Sequence, residues 1–167
     1  MTFQTTVREV QTTGIIGEII FDGPNRTRPY IVDSELATPN TIGNAFTNNP
    51  ASDAIVAAGS AGGGAFAGIL VNPKVYASQG STSGTLAPTL DLPDNTQAEL
   101  MTMGTIVVNL TIVGTGNIGE GIFYVDATGA LGSGTAGAGQ TQIANAKIDR
   151  QNISGPGLAV ITMTEAE

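Results

Sequence analysis

Apolar and polar positions alternate along much of this chain in short stretches, and the stretches recur roughly every ten residues with turn-forming sequences between them. Thr105–Val113 is the clearest. Ile106, Val108, Leu110 and Ile112 share one face, and Val107, Asn109, Thr111 and Val113 share the other, which is the period of a strand. Leu158–Met163 alternates in the same way. Ile122–Val125 runs into Asp126-Ala127-Thr128-Gly129, a turn sequence, and Gln142–Arg150 sets Ile143 and Ile148 among small and polar residues. Gly14–Phe21 is a β-branched run broken by Gly17, read as a strand with a bulge, and Asp22-Gly23-Pro24-Asn25 is a turn. Tyr30–Val32 and Thr41–Phe46 give further short strands, and Asp53–Ala58 is another short apolar piece. Leu90-Asp91-Leu92, bracketed by Pro88 and Pro93, suits an edge strand or an extended connection.

Gly62–Tyr76 departs from alternation. After its glycines, Phe66–Val71 is apolar at nearly every position, the pattern of a core strand, and Asn72-Pro73 stops it because proline has no N–H for a ladder. Gly68 leaves room for another backbone or a large side chain to approach. Lys74, Val75 and Tyr76 restart the chain with a charge and an amphipathic ring. Asp94–Met103 is the one segment with helical character, with Asp94 as a possible N-cap and Ala98, Glu99 and Leu100 as good formers. Together these elements predict an all-β fold: a single-domain β-barrel or sandwich over residues 14–167, with long Gly-rich loops such as Gly80–Gly84 and Thr128–Gly139. Residues 2–13 have no apolar face. They predict an extended N-terminal arm, residues 1–13, that pairs with another chain or frays.

Composition narrows the chemistry. The chain has 167 residues, with no cysteine, histidine or tryptophan. Disulfides, thiolate metal sites, the commonest general base and the Ser-His-Asp triad are therefore absent. Charged residues are 12% of the chain, against roughly 25% in an average domain, so polar uncharged and small apolar residues form the surface or a partner hides part of it. The net charge is −8, which disfavours nucleic acid and anionic membrane surfaces. No apolar stretch approaches the roughly 20 residues that span a bilayer, and the first residues lack the features of a signal peptide. The sequons at Asn25, Asn109 and Asn152 then read as accidents of an Asn/Thr-rich composition.

Gly114-Thr115-Gly116-Asn117-Ile118-Gly119 matches G-x-G-x-x-G after a strand, but a strand rather than a helix follows it, and Ser133-Gly134-Thr135 stands where the ribose-binding acid belongs. A hairpin connection accounts for it better. Asp91, Asp94, Asn95 and Glu99 could offer oxygens to a cation. They lack the calcium-loop pattern and read as solvated carboxylates and a cap, with weak metal binding by Asp91 and Asp94 left open. No cofactor is expected. Arg8, Arg26 and Arg28 form a small basic patch that either pairs with Asp22, Asp33 and Glu35 or meets an acidic partner.

Gly14–Asp33, Thr41–Thr47 and Gly62–Ala77, in this order and spacing, resemble the cement, or head-decoration, proteins of tailed-bacteriophage capsids. The resemblance implies a small β-rich protein without catalytic residues. It implies a place on the outer capsid surface of the virion after synthesis in the host cytoplasm, bridging subunits of the major capsid protein. It also implies self-association as a dimer or trimer. The candidate contact residues are Thr5, Val7, Arg8 and Val10 in the arm, Arg26 and Arg28, and Phe66, Lys74 and Tyr76. Two other readings stand beside it: a tail or fibre β module that binds a host receptor, and a hydrolase using carboxylates alone.

Overall fold

The computed structural model describes residues 14–20, 23–34, 38–52, 54–72 and 91–164. The predicted arm at 1–13, the loop at 80–84 and the contact candidates Thr5, Val7, Arg8, Val10, Lys74 and Tyr76 lie outside these residues. Every regular element among them is a strand: β1 (Ile19–Ile20), β2 (Arg26–Val32), β3 (Asn40–Thr41), β4 (Ala45–Asn48), β5 (Ile55–Ala58), β6 (Phe66–Leu70), β7 (Asp91–Leu92), β8 (Thr96–Ile112), β9 (Gly121–Val125), β10 (Leu131–Ser133), β11 (Gln140–Asp149) and β12 (Gly157–Met163).

Strand β8, with 17 residues, organises the molecule. Its first half pairs with β2 on one side and β6 on the other. Its second half pairs with β12 on one side and with β1 and β10 on the other. The sheet consequently closes twice. From the first half of β8 it runs through β2, β5, β4 and β6 and back to β8. From the second half it runs through β12, β11, β9 and β10 and back to β8. These circuits are called the N-barrel and the C-barrel below. Closure hides backbone donors and acceptors that an open sheet would leave at its edges. The small pair β3–β7 lies outside both circuits.

Each barrel has its own filling. Val32, Phe46, Val56, Leu70, Ala98 and Leu100 meet inside the N-barrel. Ile106, Leu110, Ile122, Leu131, Ile148 and Ile161 are among those that fill the C-barrel. Ala45, Ile69 and Met101 belong to N-barrel strands, yet they face the C-barrel core, while their chain neighbours Phe46, Leu70 and Leu100 face the N-barrel core. A wall buried on both faces explains the apolar run at Phe66–Val71, since neither side of that strand meets water. Gly68 serves as expected. A side chain there would strike the Met101 carbonyl at 2.6 Å.

The barrels are also joined by a turn. The β9–β10 turn seats its Gly129 carbonyl on the Ala45 amide at 2.8 Å, and the Ser60 amide donates to the Asp126 carbonyl at 2.8 Å. Gly59 and Gly129 face each other there with φ of 62° and 73°. A Cβ on either would collide with backbone of the other barrel, so the junction requires glycine at both positions.

Several expectations change. Asp94–Met103 is not a helix. Asp94 and Asn95 form a turn, and the chain is strand from Thr96 onward. Ala98 and Leu100 point into one core and Met101 into the other. Pairing with β2 and β6 overrides a modest helical preference. The strand expected at Thr41–Phe46 is split by a turn at Ile42–Gly43, where Gly43 has φ of 83°. Of the expected strand Gly14–Phe21, residues 14–20 are described, and among them only Ile19–Ile20 is strand, because Gly17 turns the chain with φ of 78°. Tyr30–Val32 extends back to Arg26, so Arg26 and Arg28 lie on β2. Leu131–Ser133, expected within a loop, is the strand that closes the C-barrel between β8 and β9. That insertion means 113–120 is no hairpin: β8 and β9 are not partners. In β11 the register slips between Gln142 and Lys147, and Asn145 has φ of 60°. The extra residues let Ile143 and Ile148, of opposite parity, both reach the core.

Candidate contact surfaces

The G-x-G-x-x-G loop holds an anion of its own. One Glu120 oxygen accepts hydrogen bonds from the Thr115 amide at 2.8 Å and the Thr115 hydroxyl at 3.1 Å. The other accepts from the Gly116 amide at 2.7 Å and the Ser133 hydroxyl at 2.9 Å. A glycine-bearing loop with convergent amides is an anion nest, and here the carboxylate six residues past its first glycine occupies it. Partial burial pulls the Glu120 pKa up. The amides of Thr115 and Gly116 and the hydroxyls of Ser133 and Thr115 outweigh it and hold the carboxyl below its usual value. A ligand phosphate has no place left in this loop.

The carboxylates considered for a cation are used as staples. Asp94 Oδ1 accepts from Asn40 Nδ2 at 2.7 Å and from the Ser34 amide at 3.2 Å. Asp91 Oδ1 accepts from the Thr41 hydroxyl at 2.6 Å. These bonds tie β3 to β7 and the start of β8. Among the described residues, no cluster of three or more His, Cys, Asp or Glu could hold a metal ion. A depression of ≈ 230 Å³ lined by Tyr30, Asn48, Asn49, Pro50 and Ser52 falls below the roughly 300–1,000 Å³ of ordinary small-molecule sites. Among the described residues, no helix is long and apolar enough to cross a membrane.

Arg26 and Arg28 are exposed on β2. Beyond the β8 ladder, β2 pairs with β5 only at Ile31 and Val32, so its earlier residues form an edge among the described residues. The Ile31 amide donates to the Ala54 carbonyl on that open side at 2.8 Å. Pro29 shares its parity and offers no N–H there. Proline and charge on a strand edge are the devices that discourage stray pairing. Phe66 is half-buried, and its ring stacks on Tyr124 with centroids 6.1 Å apart, linking the barrels. The structure therefore does not gather the described candidates into one patch. Sequence reading passed over Ile118, 54% exposed at the tip of the Glu120 loop. The available signal was a large apolar residue alone in a polar, glycine-rich connection.

The arrangement is that of an all-β structural module whose exposed features are edges and loop tips. The sequence over residues 3–164 matches the phage family described as "Structural cement protein (E217 gp24/Pam3 gp6)". The chain belongs to this family of structural cement proteins. Its fold is similar to a chain of the structure described as "The capsid of Myoviridae Phage XM1", with a TM-score of 0.63 and 17% identity over 98% of each chain. No curated protein matches it.

Proposed function

We propose that this protein attaches to the outer face of a phage capsid, bridges neighbouring major capsid subunits and stabilises the shell without chemistry. Membership of the structural cement family over nearly the whole chain carries this reading. The use of Glu120, Asp91 and Asp94 as internal staples agrees with it. Its place is the virion, and its partners are the major capsid protein and a second copy of itself. A ligand that binds the assembled shell but not its separated subunits stabilises the shell by mass action, by about 2.7 kcal/mol per site at a hundredfold excess over Kd. A net charge of −8 suits a position away from packed DNA. The arm at 2–13 with Thr5, Val7, Arg8 and Val10, the exposed Arg26 and Arg28, and the stretch carrying Phe66, Lys74 and Tyr76 are the proposed contacts.

The test is to prepare capsids lacking the protein, add it back, and measure occupancy and the temperature of shell disruption. Saturable binding with a raised disruption temperature is expected. Saturable binding without that rise points to a display or receptor role, and absence of binding removes the reading.

A further inference from the structure

The C-barrel has a pole remote from the N-barrel. There β8, β10 and β11 end and β9 and β12 begin. The connections 113–120 and 150–156 meet across it. The Ile153 amide donates to the Gly116 carbonyl at 2.8 Å, the Ile118 amide to Asn152 Oδ1 at 2.8 Å, and the Gly119 amide to the Ile148 carbonyl at 2.9 Å. With Glu120 filling the nest from within, the loop tip is held by bonds on several sides. It nevertheless presents Ile118 to solvent at 54% exposure, with Ile112 at 43% and Leu158 at 37% on the same end. Among the described residues, these are three of the five large apolar side chains left in water.

The pole is also uncharged. Ile112–Gly119 and Gln151–Leu158 contain no Asp, Glu, Lys or Arg. At the rim, Glu120 is engaged by the loop amides, and Arg150 Nε lies 3.8 Å from Asp149 Oδ2. We propose that this pole is a self-contact surface, where the Ile118 tips of two copies meet about a two-fold axis. The charge pattern selects a second copy as the occupant. In an isologous contact the residues nearest the two-fold axis lie beside their own equivalents, so a charge close to the Ile118 tips would face its own sign. A surface for a different partner is under no such constraint. Two copies that each carry −8 approach most readily through their uncharged ends. A preorganised loop adds little ordering cost on association, which gives the Glu120 nest a purpose at this surface.

The inference deepens the self-association in the reading above and is tested apart from the shell. The full chain is followed by sedimentation across a concentration series, together with Ile118→Asp, the milder Ile118→Ser, and Ile15→Asp as a control at another exposed isoleucine. Because the chain has no cysteine, Asn117→Cys and Ala51→Cys report proximity under mild oxidation. The expected result is a wild-type dimer that Ile118→Asp or Ile118→Ser weakens by at least about tenfold at unchanged melting temperature. Ile15→Asp should leave it intact, and Asn117→Cys alone should cross-link. A monomer at every concentration, or a dimer indifferent to Ile118, overturns the proposal while leaving shell attachment to its own assay. A variant at Ile118 that still dimerises but no longer attaches to capsids assigns the pole to the shell, and also overturns it.

Discussion

The N-barrel and the C-barrel are built by the same closure but from different material. The C-barrel takes residues 104–163, one nearly continuous piece of chain, and its strands β11 and β12 have 10 and 7 residues. The N-barrel gathers short strands from Arg26 to Leu70 and then borrows half of β8 from beyond residue 90. Its β4 and β5 have 4 residues each. The consequence is a difference in self-sufficiency. The C-barrel can form from local contacts plus one strand, while the N-barrel completes itself only when β8 is in place. The shared wall of Ala45, Ile69 and Met101 then makes the cores depend on each other.

The largest effect is expected at the junction. Gly129→Val forces a branched side chain into a positive-φ backbone and against the Ala45 carbonyl. It should cost more than about 2 kcal/mol, and calorimetry should show either no folded protein or a transition lowered by many degrees. If the transition is unmoved, the barrels are not joined there.

Core truncations sharpen the comparison next. Phe46→Ala empties the N-barrel and Leu110→Ala the C-barrel, both from fully buried positions. Each should cost about 2–5 kcal/mol. Interlocked cores predict one cooperative transition in both variants. A separate early transition in Phe46→Ala alone would show that the N-barrel melts by itself.

How the sequence betrayed these regions follows the same division. In the C-barrel, alternation at Ile106, Val108 and Leu110 and at Leu158–Met163 is a local signal, and it predicted the strands found. Thr96–Met103 was misread because its strand state comes from β2 and β6, which lie far away in sequence. Leu131–Ser133 hid in a glycine-rich stretch because three residues carry no period. For the contact surfaces, the chain announced its basic residues but not their setting. Pro29 marks an edge only once the β2–β5 ladder is seen, among the described residues, to be confined to Ile31 and Val32. The glycine loop displayed its anion-binding shape in sequence, while the identity of its anion, Glu120, depended on how the chain returns.

A smaller effect tests the C-barrel pole against acid. The carboxylate of Glu120 is favoured in the folded state, so its pKa lies below that of the unfolded chain. Its contribution is present above the ordinary carboxylate range and is lost as pH falls through the folded value. Glu120→Gln should lower stability at neutral pH by about 1–2 kcal/mol, and the gap to the wild type should narrow as the solution is acidified. Parallel pH profiles would contradict the nest.

The smallest stability change is expected at the N-barrel edge. Pro29→Thr restores an N–H on the open side of β2 and should shift stability by less than about 1 kcal/mol. Its readout is association: light scattering should show more aggregation than in the wild type. Equal scattering would deny Pro29 its guarding part.

Strand β8 also has a mechanical meaning. Its 17 residues extend over about 55 Å at roughly 3.3 Å per residue, and one unbroken backbone runs from the floor of one barrel to the rim of the other. A pull that separates the barrels along this axis meets ladder bonds lying across the direction of force. They are loaded in shear, many at once, and must yield together. Covalent continuity makes β8 a tie rod, and a sideways pull, which opens bonds in succession, should part the molecule at a far lower force.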